Sequence, residues 1–485
     1  MTKSKAIVKY IIIFLIMFVS FSSISLVISA VNPDDYWNFH FIQKIYNGYI
    51  PYSDFNFIIT PLFHYIGVLF MLIFGNHFYI MPIYAGFISS ILFILGSKLI
   101  SIHTKTYKSR FAALSLYIIL LLAAASGANY NAFMLIFPLA TLILEDKISD
   151  KTEKKYRIIQ GALLGLMVLT KHTIGAVFSL AYFIYLFITK EKEKKYQTVF
   201  YALLAEIAIG LIFVVYLVLN NNFLSFFNLC IGGIFDFGSK NAFASEDILP
   251  LFFLVILELP LVFNYKNRGS KKDILYFGFF FASLFILYPL ANAAHIFTAA
   301  IPISIITIYS LHNFFADIIL TKPAEFVINL AYAIIIVCFL ITLYCYVYKF
   351  AFYKPYKLAK EYDVFDYCPF ADDFFISDLR MIHMFMDEKE AQGYHVYILS
   401  SNASLYSISR NQNNGYFDLL LNGNLGYNGV NNIIEKISKI KNPLFLKADL
   451  GEINFQEPKE IENYIVNNYK YTGENFGEMR VFVSK

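Results

Sequence analysis

Asp34 and Asp35 stand side by side in Asn32-Pro33-Asp34-Asp35-Tyr36-Trp37, directly after the first long apolar run and beside the only tryptophan of the chain. A carboxylate at the lip of a membrane helix is costly unless it meets water, a cavity or a partner, so the pair marks a candidate site. Its chemistry would be that of a base that takes or orients a proton from an attacking group. The structural alternative is that either acid caps a short helix from Tyr36 to about Tyr46, whose N-terminus favours carboxylates. One acid can cap while the other works. Lys171-His172 and His295 supply candidate cations for a departing anion, and His64, Asn129, Asn131, Asp236 and Lys240 are further polar groups in apolar surroundings. Each has a plain reading as well: Lys171 can snorkel to headgroups, and the histidines can be ordinary interfacial residues.

The elements that must position these groups are membrane helices. Of 485 residues, 58% are hydrophobic, 19% aromatic and only 15% charged, and the mean hydropathy is +0.57. Apolar residues in long runs at this density define a polytopic membrane protein. The net charge of +4 says little, because its distribution carries the information. Cys230, Cys338, Cys345 and Cys368 show no paired spacing, hence neither a disulfide framework nor a zinc motif.

Lys3, Lys5 and Lys9 precede the uncharged run Tyr10 to Ala30, which reads as a first span with its N-terminus in the cytoplasm. Asp34 and Asp35 then emerge on the outer face. Pro61 to Phe74 is short for a span, and letting it cross would put the basic loop containing Lys98, His103, Lys105, Lys108 and Arg110 outside. Residues 31–77 are therefore expected to lie on the outer surface as interfacial helices. Spans follow near 80–100, 111–126, 130–145, 158–170, 174–189, 197–219, 248–264, 274–289, 295–312 and 325–349, about eleven in all, with basic residues at alternate loops.

Residues 351–485 differ in kind from the membrane part, 1–350. They are polar, rich in Asn and patterned as a small extracytoplasmic α/β domain. Strands are expected at His395 to Leu399, Pro443 to Ala448 and Met479 to Val483. Helices are expected at Gly429 to Ile440 and, opened by Pro458, up to about Tyr469. The loop Asn422-Gly423-Asn424-Leu425-Gly426 reads as a turn, since no nucleotide is available outside the cell.

Folded along this topology, Asp34, Asp35, His64, Asn129, Lys171, His172 and His295 all belong to the outer side. A carboxylate base with a cationic pocket suits attack by a hydroxyl on a sugar that leaves a lipid phosphate. No metal is expected, because two neighbouring carboxylates do not make a metal site.

Asp34-Asp35-Tyr36-Trp37, then Asn47-Gly48-Tyr49-Ile50-Pro51-Tyr52-Ser53-Asp54-Phe55 and Thr60-Pro61-Leu62, resemble the opening of the GT-C membrane glycosyltransferases. The nearest branch is the one with protein O-mannosyltransferase-like and lipid A aminoarabinose transferase-like proteins. Gly165 to Gly175 and Tyr288-Pro289 through His295 to Pro302 resemble segments of bacterial members, so the likeness covers roughly residues 1–350. It implies an inverting transferase that uses a polyprenyl-phosphate-linked sugar and an acceptor lipid, glycan or protein, in the plasma membrane, with no nucleic-acid partner. Asp34 or Asp35 would be the base, and Lys171 and His295 would meet the donor phosphate. Some relatives need a divalent metal, and several carry a further acid in the second outer loop that residues 126–130 lack. The rival readings are a transporter or flippase of lipid-linked sugars, a polysaccharide polymerase or ligase, and a scaffold presenting the tail. Transporters often carry internal repeats and mid-membrane charges, which are not evident here, and the 220–247 loop contains no Arg.

Overall fold

The computed structural model describes residues 3–29, 33–104, 106–124, 127–149, 153–234, 269–288, 293–315, 373–400, 415–418, 420–422, 424–426, 428–448, 457–476 and 479–485, with a few single positions between 255 and 341. The spans expected near 248–264 and 325–349 lie almost wholly outside the described residues, as do Asp236, Lys240, Cys338, Cys345 and Cys368. The chain divides into two compact units. The first comprises Met1–Val27, Pro82–Phe213 and Phe243–Tyr353, and the second Ile28–Met81, Val214–Ala242 and Lys354–Lys485. A cut at residue 350 therefore does not coincide with the cut between units: residues 28–81 and 214–242 group with the tail.

The first unit is helical. Its described helices are α1 (Lys3–Ser29), α4 (Ile80–His103), α5 (Tyr107–Ala124), α6 (Tyr130–Met134), α7 (Ile136–Glu145), α8 (Glu153–Thr170), α9 (His172–Thr189), α10 (Lys192–Leu219, whose last turns fall in the second unit), α12 (Lys271–Leu284) and α13 (Ala293–Phe315). Among the described residues, Ile7–Leu26, Ile80–His103, His172–Thr189 and Lys194–Leu219 are long and apolar enough to cross a membrane. With the shorter apolar helices, they make this a multi-pass membrane protein. Exposed Ile, Leu, Val and Phe side chains cover α1 and α10, as expected of faces turned to lipid.

Close packing between these helices relies on glycine. A Cβ on Gly161 would strike the Ala202 carbonyl, and one on Gly86 would strike Ser22. Small residues at helix contacts let backbones approach where no hydrophobic force drives association. The span expected at 130–145 is broken at Leu135. Pro138 causes this: it has no N–H for the Met134 carbonyl, and its ring crowds that carbonyl.

In the second unit, α2 (Pro33–Tyr46) and α3 (Leu62–Phe74) form the segment expected on the outer surface. Pro33 opens α2, Asp34 and Asp35 occupy its first turn and Lys44 its last, so every charge complements the helix dipole. Asp35, Tyr36, Asn38 to Lys44 and Ile45 are all buried, so α2 is a core helix of this unit rather than one lying with a free face. α3 has 13 residues, and its Leu69, Leu72, Ile73 and Phe74 are exposed. The apolar stretch after α10 forms α11 (Phe223–Phe226) and a π-helical turn, Phe227–Gly232, where an open loop was expected.

The tail adds α14 (Asp373–Ala391), α15 (Gly429–Ser438), α16 (Lys459–Asn468) and a four-stranded sheet in the order β1 (His395–Leu399), β2 (Pro443–Ala448), β4 (Met479–Ser484), β3 (Tyr469–Phe476). β1 and β2 are parallel and the other pairs antiparallel. α15 makes the crossover that a parallel pair requires. Leu399, Phe417, Ile433, Ile437, Phe445, Ile461, Ile465 and Phe482 form one core. β3 escapes the sequence pattern because it is an edge strand exposed along most of its length, so polar residues need not alternate with apolar ones.

Candidate functional site

The first turn of α2 separates the two acids. Asp34 is exposed, whereas Asp35 has no solvent exposure. Both lie where the free N–H groups of the helix start favour a carboxylate. One turn further on, His64 of α3 places Nε2 3.1 Å from Asn38 Oδ1. Its ring meets Phe57, Phe63 and Phe41 edge to face, at 4.9, 5.0 and 5.9 Å between centroids. Burial drops its pKa to about 3, so the ring is neutral. His64 therefore supports α2 from below and supplies no cation.

The other end of α2 carries a feature that sequence reading missed. Lys44, 1% exposed, pairs with Asp418, 0% exposed, and His40 Nε2 lies 3.1 Å from the same carboxylate. Burial acts to raise the Asp418 carboxyl, but the charges of Lys44 and His40 overcome it and bring the pKa down to about 2. Around this pair, Tyr416 Oη donates to the Tyr52 and Ser53 carbonyls at 3.0 and 2.5 Å. Asn56 Nδ2 donates to the Asn424 carbonyl at 2.6 Å. A signal was available: His40 and Lys44 sit one turn apart on a helix otherwise crowded with aromatics, and two such groups call for an acid.

In the first unit, the remaining candidates gather at helix starts. Asn129 Oδ1 accepts the Ala132 N–H at 2.8 Å and caps α6. Lys171 is the residue between α8 and α9, with Nζ 2.7 Å from Asn131 Oδ1 and 5.3 Å from the Tyr130 ring centroid. The amide and the aromatic face hold a half-buried ammonium at that junction. His295, near the start of α13, lies close enough to Lys171 for their charges to interact. His172 opens α9 and is half-buried. Asn131, not Asn129, thus orients the cation.

A second polar network in this unit lies apart from these candidates. Arg157, without solvent exposure, forms a forked pair with Glu145, one arm at 3.1 Å. Gln160 Nε2 donates to Glu145 at 3.0 Å, and the hydroxyl of Tyr185 donates to it at 2.6 Å. These bonds account for both carboxylate oxygens, which makes the network a tie between α7, α8 and α9. Among the described residues, no three His, Cys, Asp or Glu side chains gather as a metal site.

The helices and the outer segment with its acidic first turn define a polytopic membrane protein. Residues 59–218 match the family model described as dolichyl-phosphate-mannose-protein mannosyltransferase. The structure is similar to the crystal structure of ArnT from Cupriavidus metallidurans bound to undecaprenyl phosphate, with a TM-score of 0.54 and 11% identity over 99% of this chain and 98% of that one. It is equally similar to the apo state of the same protein, at 0.55 and 12% over the same shares. No curated protein sequence matches the chain. At such identity the likeness establishes the fold, and the resemblance to GT-C membrane glycosyltransferases read from the outer segment stands with it.

Proposed function

We propose that this protein is a glycosyltransferase of the plasma membrane that moves a sugar, with inversion, from a polyprenyl-phosphate-linked donor to an acceptor at the outer face. The observation that carries the reading is the likeness to ArnT along nearly the whole chain, one of whose crystal structures is bound to undecaprenyl phosphate. The match of residues 59–218 to a family of lipid-phosphate-sugar users supports it. The acceptor hydroxyl attacks the anomeric carbon, the bond from that carbon to the phosphate oxygen breaks, and the lipid phosphate leaves with the electron pair. Asp34 takes the hydroxyl proton, because a base must reach its substrate and Asp34 is the exposed acid of the pair. Asp35 holds the helix start from inside. Lys171, held by Asn131, neutralises charge on the departing phosphate. His295 and His172 assist in binding there, and the reaction runs without a metal ion.

The test is transfer from radiolabelled polyprenyl-phosphate sugars in membranes. Asp34→Asn should lower transfer by about 10²–10⁴-fold with normal accumulation of the protein. Asp35→Asn should lose transfer only in step with lost folded protein, and EDTA should change nothing. Normal transfer by both variants, or none by the wild type from any donor, would overturn the reading.

A further inference from the structure

Two glycines lock α8 and α10 side by side. A Cβ on Gly161 would strike the Ala202 carbonyl, and one on Gly165 would press on Ile209 and the Glu206 carbonyl. The contact residues ascend together in both helices, so α8 and α10 run parallel and begin on the same side of the membrane. Seven residues before Gly161 stands Lys154, and seven before Ala202 stands Lys195. Seven residues make about two turns, so both lysines start from the faces that the helices turn to each other, at the mouth of the seam. The positive ends of the two helix dipoles add there.

The acids nearby leave this charge standing. Glu153 is taken by Lys190 and Arg157, and Glu145 by Arg157. Among the described residues, no carboxylate pairs with Lys154, Lys155 or Lys195, and the exposed Glu191 just ahead of α10 joins none of them. Aromatic rings hold two of the amines instead. Lys154 Nζ lies 4.8 Å from the ring centroid of Tyr201 on α10, and Lys195 Nζ 4.6 Å from that of Phe187 on α9. A ring steadies an ammonium without cancelling its charge. Like charges gathered at one seam repel, so an anion between them is favoured. The surface beyond Tyr201 says which anion. Leu204, Ala208 and Ile212 follow it at three, seven and eleven residues, one stripe of a helix, and all three are exposed, Ile212 at 66%. From Tyr201 to Ile212 the stripe climbs about 16 Å, roughly half of the ~30 Å hydrocarbon core and thus the depth of one leaflet. A free phosphate would use the lysines alone. A phosphate that carries acyl chains uses the lysines and the stripe together.

We infer that the start of the α8–α10 seam is a binding site for an anionic phospholipid. Its phosphate sits at Lys154 and Lys195, with Lys155 beside them, and one acyl chain lies along Leu204, Ala208 and Ile212. Basic groups between membrane helices hold anionic headgroups in this way. Gln197 Nε2 donates to Tyr201 Oη at 2.9 Å, which steadies the ring where headgroup and chain meet. The site needs only that the chain spans a membrane. It stands whether or not the protein transfers a sugar.

The experiment is native mass spectrometry of the full chain released from detergent, with phosphatidylglycerol and phosphatidylcholine of the same acyl chains as probes and inorganic phosphate as competitor. The variants are Lys154→Gln, Lys195→Gln and the two combined. Lys108→Gln removes an equal charge from an exposed position on α5 and serves as control. The expected result is one phosphatidylglycerol held with a Kd at least tenfold below that of phosphatidylcholine. The combined variant should weaken it fivefold or more, each single variant by less, and Lys108→Gln not at all. Lys154 is exposed and Lys195 half-buried, so the fold should persist, which an unchanged Tm checks. If the combined variant lowers the Tm, the single variants carry the test. Equal retention of the two lipids, or equal loss in Lys108→Gln, overturns the site. Displacement of phosphatidylglycerol by an equal concentration of inorganic phosphate also overturns it, because the lysines would then bind an anion without its chains.

Discussion

A carboxylate's neighbours decide what it can do, and the acids of this chain show three outcomes. Asp34 is open to water, Asp35 is enclosed, and Asp418 is enclosed with two basic groups. The pair at 34 and 35 was legible in the sequence because the acids follow a long apolar run. Which of them is covered was not, since adjacent helix residues point about 100° apart and only packing decides it. Asp418 was invisible for another reason: nothing local distinguishes it from a loop acid, and its partners lie near residue 42. Its folded pKa of about 2 lies below the unfolded value of about 3.9, so its stabilisation is complete above that value and is lost as pH falls through the folded one. Trp37, the only tryptophan, sits on α2 and reports on this helix. Its fluorescence should hold down to about pH 4 and change between about pH 4 and 2. Asp418→Asn should cost about 3–5 kcal/mol at neutral pH by leaving Lys44 buried and unpaired. A fluorescence transition unmoved by Asp418→Asn would show that the pair does not hold α2.

Elements were read well where burial has a period and poorly where it has none. β1 and β2 occupy the ranges that their apolar runs mark, while β3 and α14 do not announce themselves. The span at 130–145 hid its break because hydropathy does not register the missing N–H of Pro138. Helix spacing was equally hidden, although it is set by single atoms. Gly161→Ala drives a methyl into the Ala202 carbonyl and should cost about 1–3 kcal/mol, seen as a lower Tm in detergent. Gly210→Ala, on the same pair of helices but with open space before it, should be neutral or slightly stabilising. Equal effects would mean that α8 and α10 are free to separate.

At the scale of the molecule, the alternation of basic loops carries the proposed topology, and that alternation survives errors in any one span. The grouping of residues 28–81 with the tail was beyond it, because charge bias reports the side of the membrane and not what packs together. The proposed orientation puts the N-terminus and the loop at Lys194 inside and the C-terminus outside. A membrane-impermeant maleimide should label Lys485→Cys in intact cells and Lys194→Cys only after lysis. The reverse pattern would invert the topology and remove the supply of donor from the outer leaflet.

The tie between Lys44 and Asp418 spans 374 residues, and it sets a timetable for biosynthesis. At about 5–20 residues per second, a ribosome delivers Asp418 some 20–75 s after Lys44 has been made. Throughout that interval α2 exists with a charge that its final surroundings cannot hold, so the outer segment cannot settle while the helices after it are inserting. A chain that stops early thus loses more than its tail. It leaves the acid-bearing helix unfinished at the membrane surface, and the cell's proteases receive a marker of incomplete synthesis at the end of the protein that was made first.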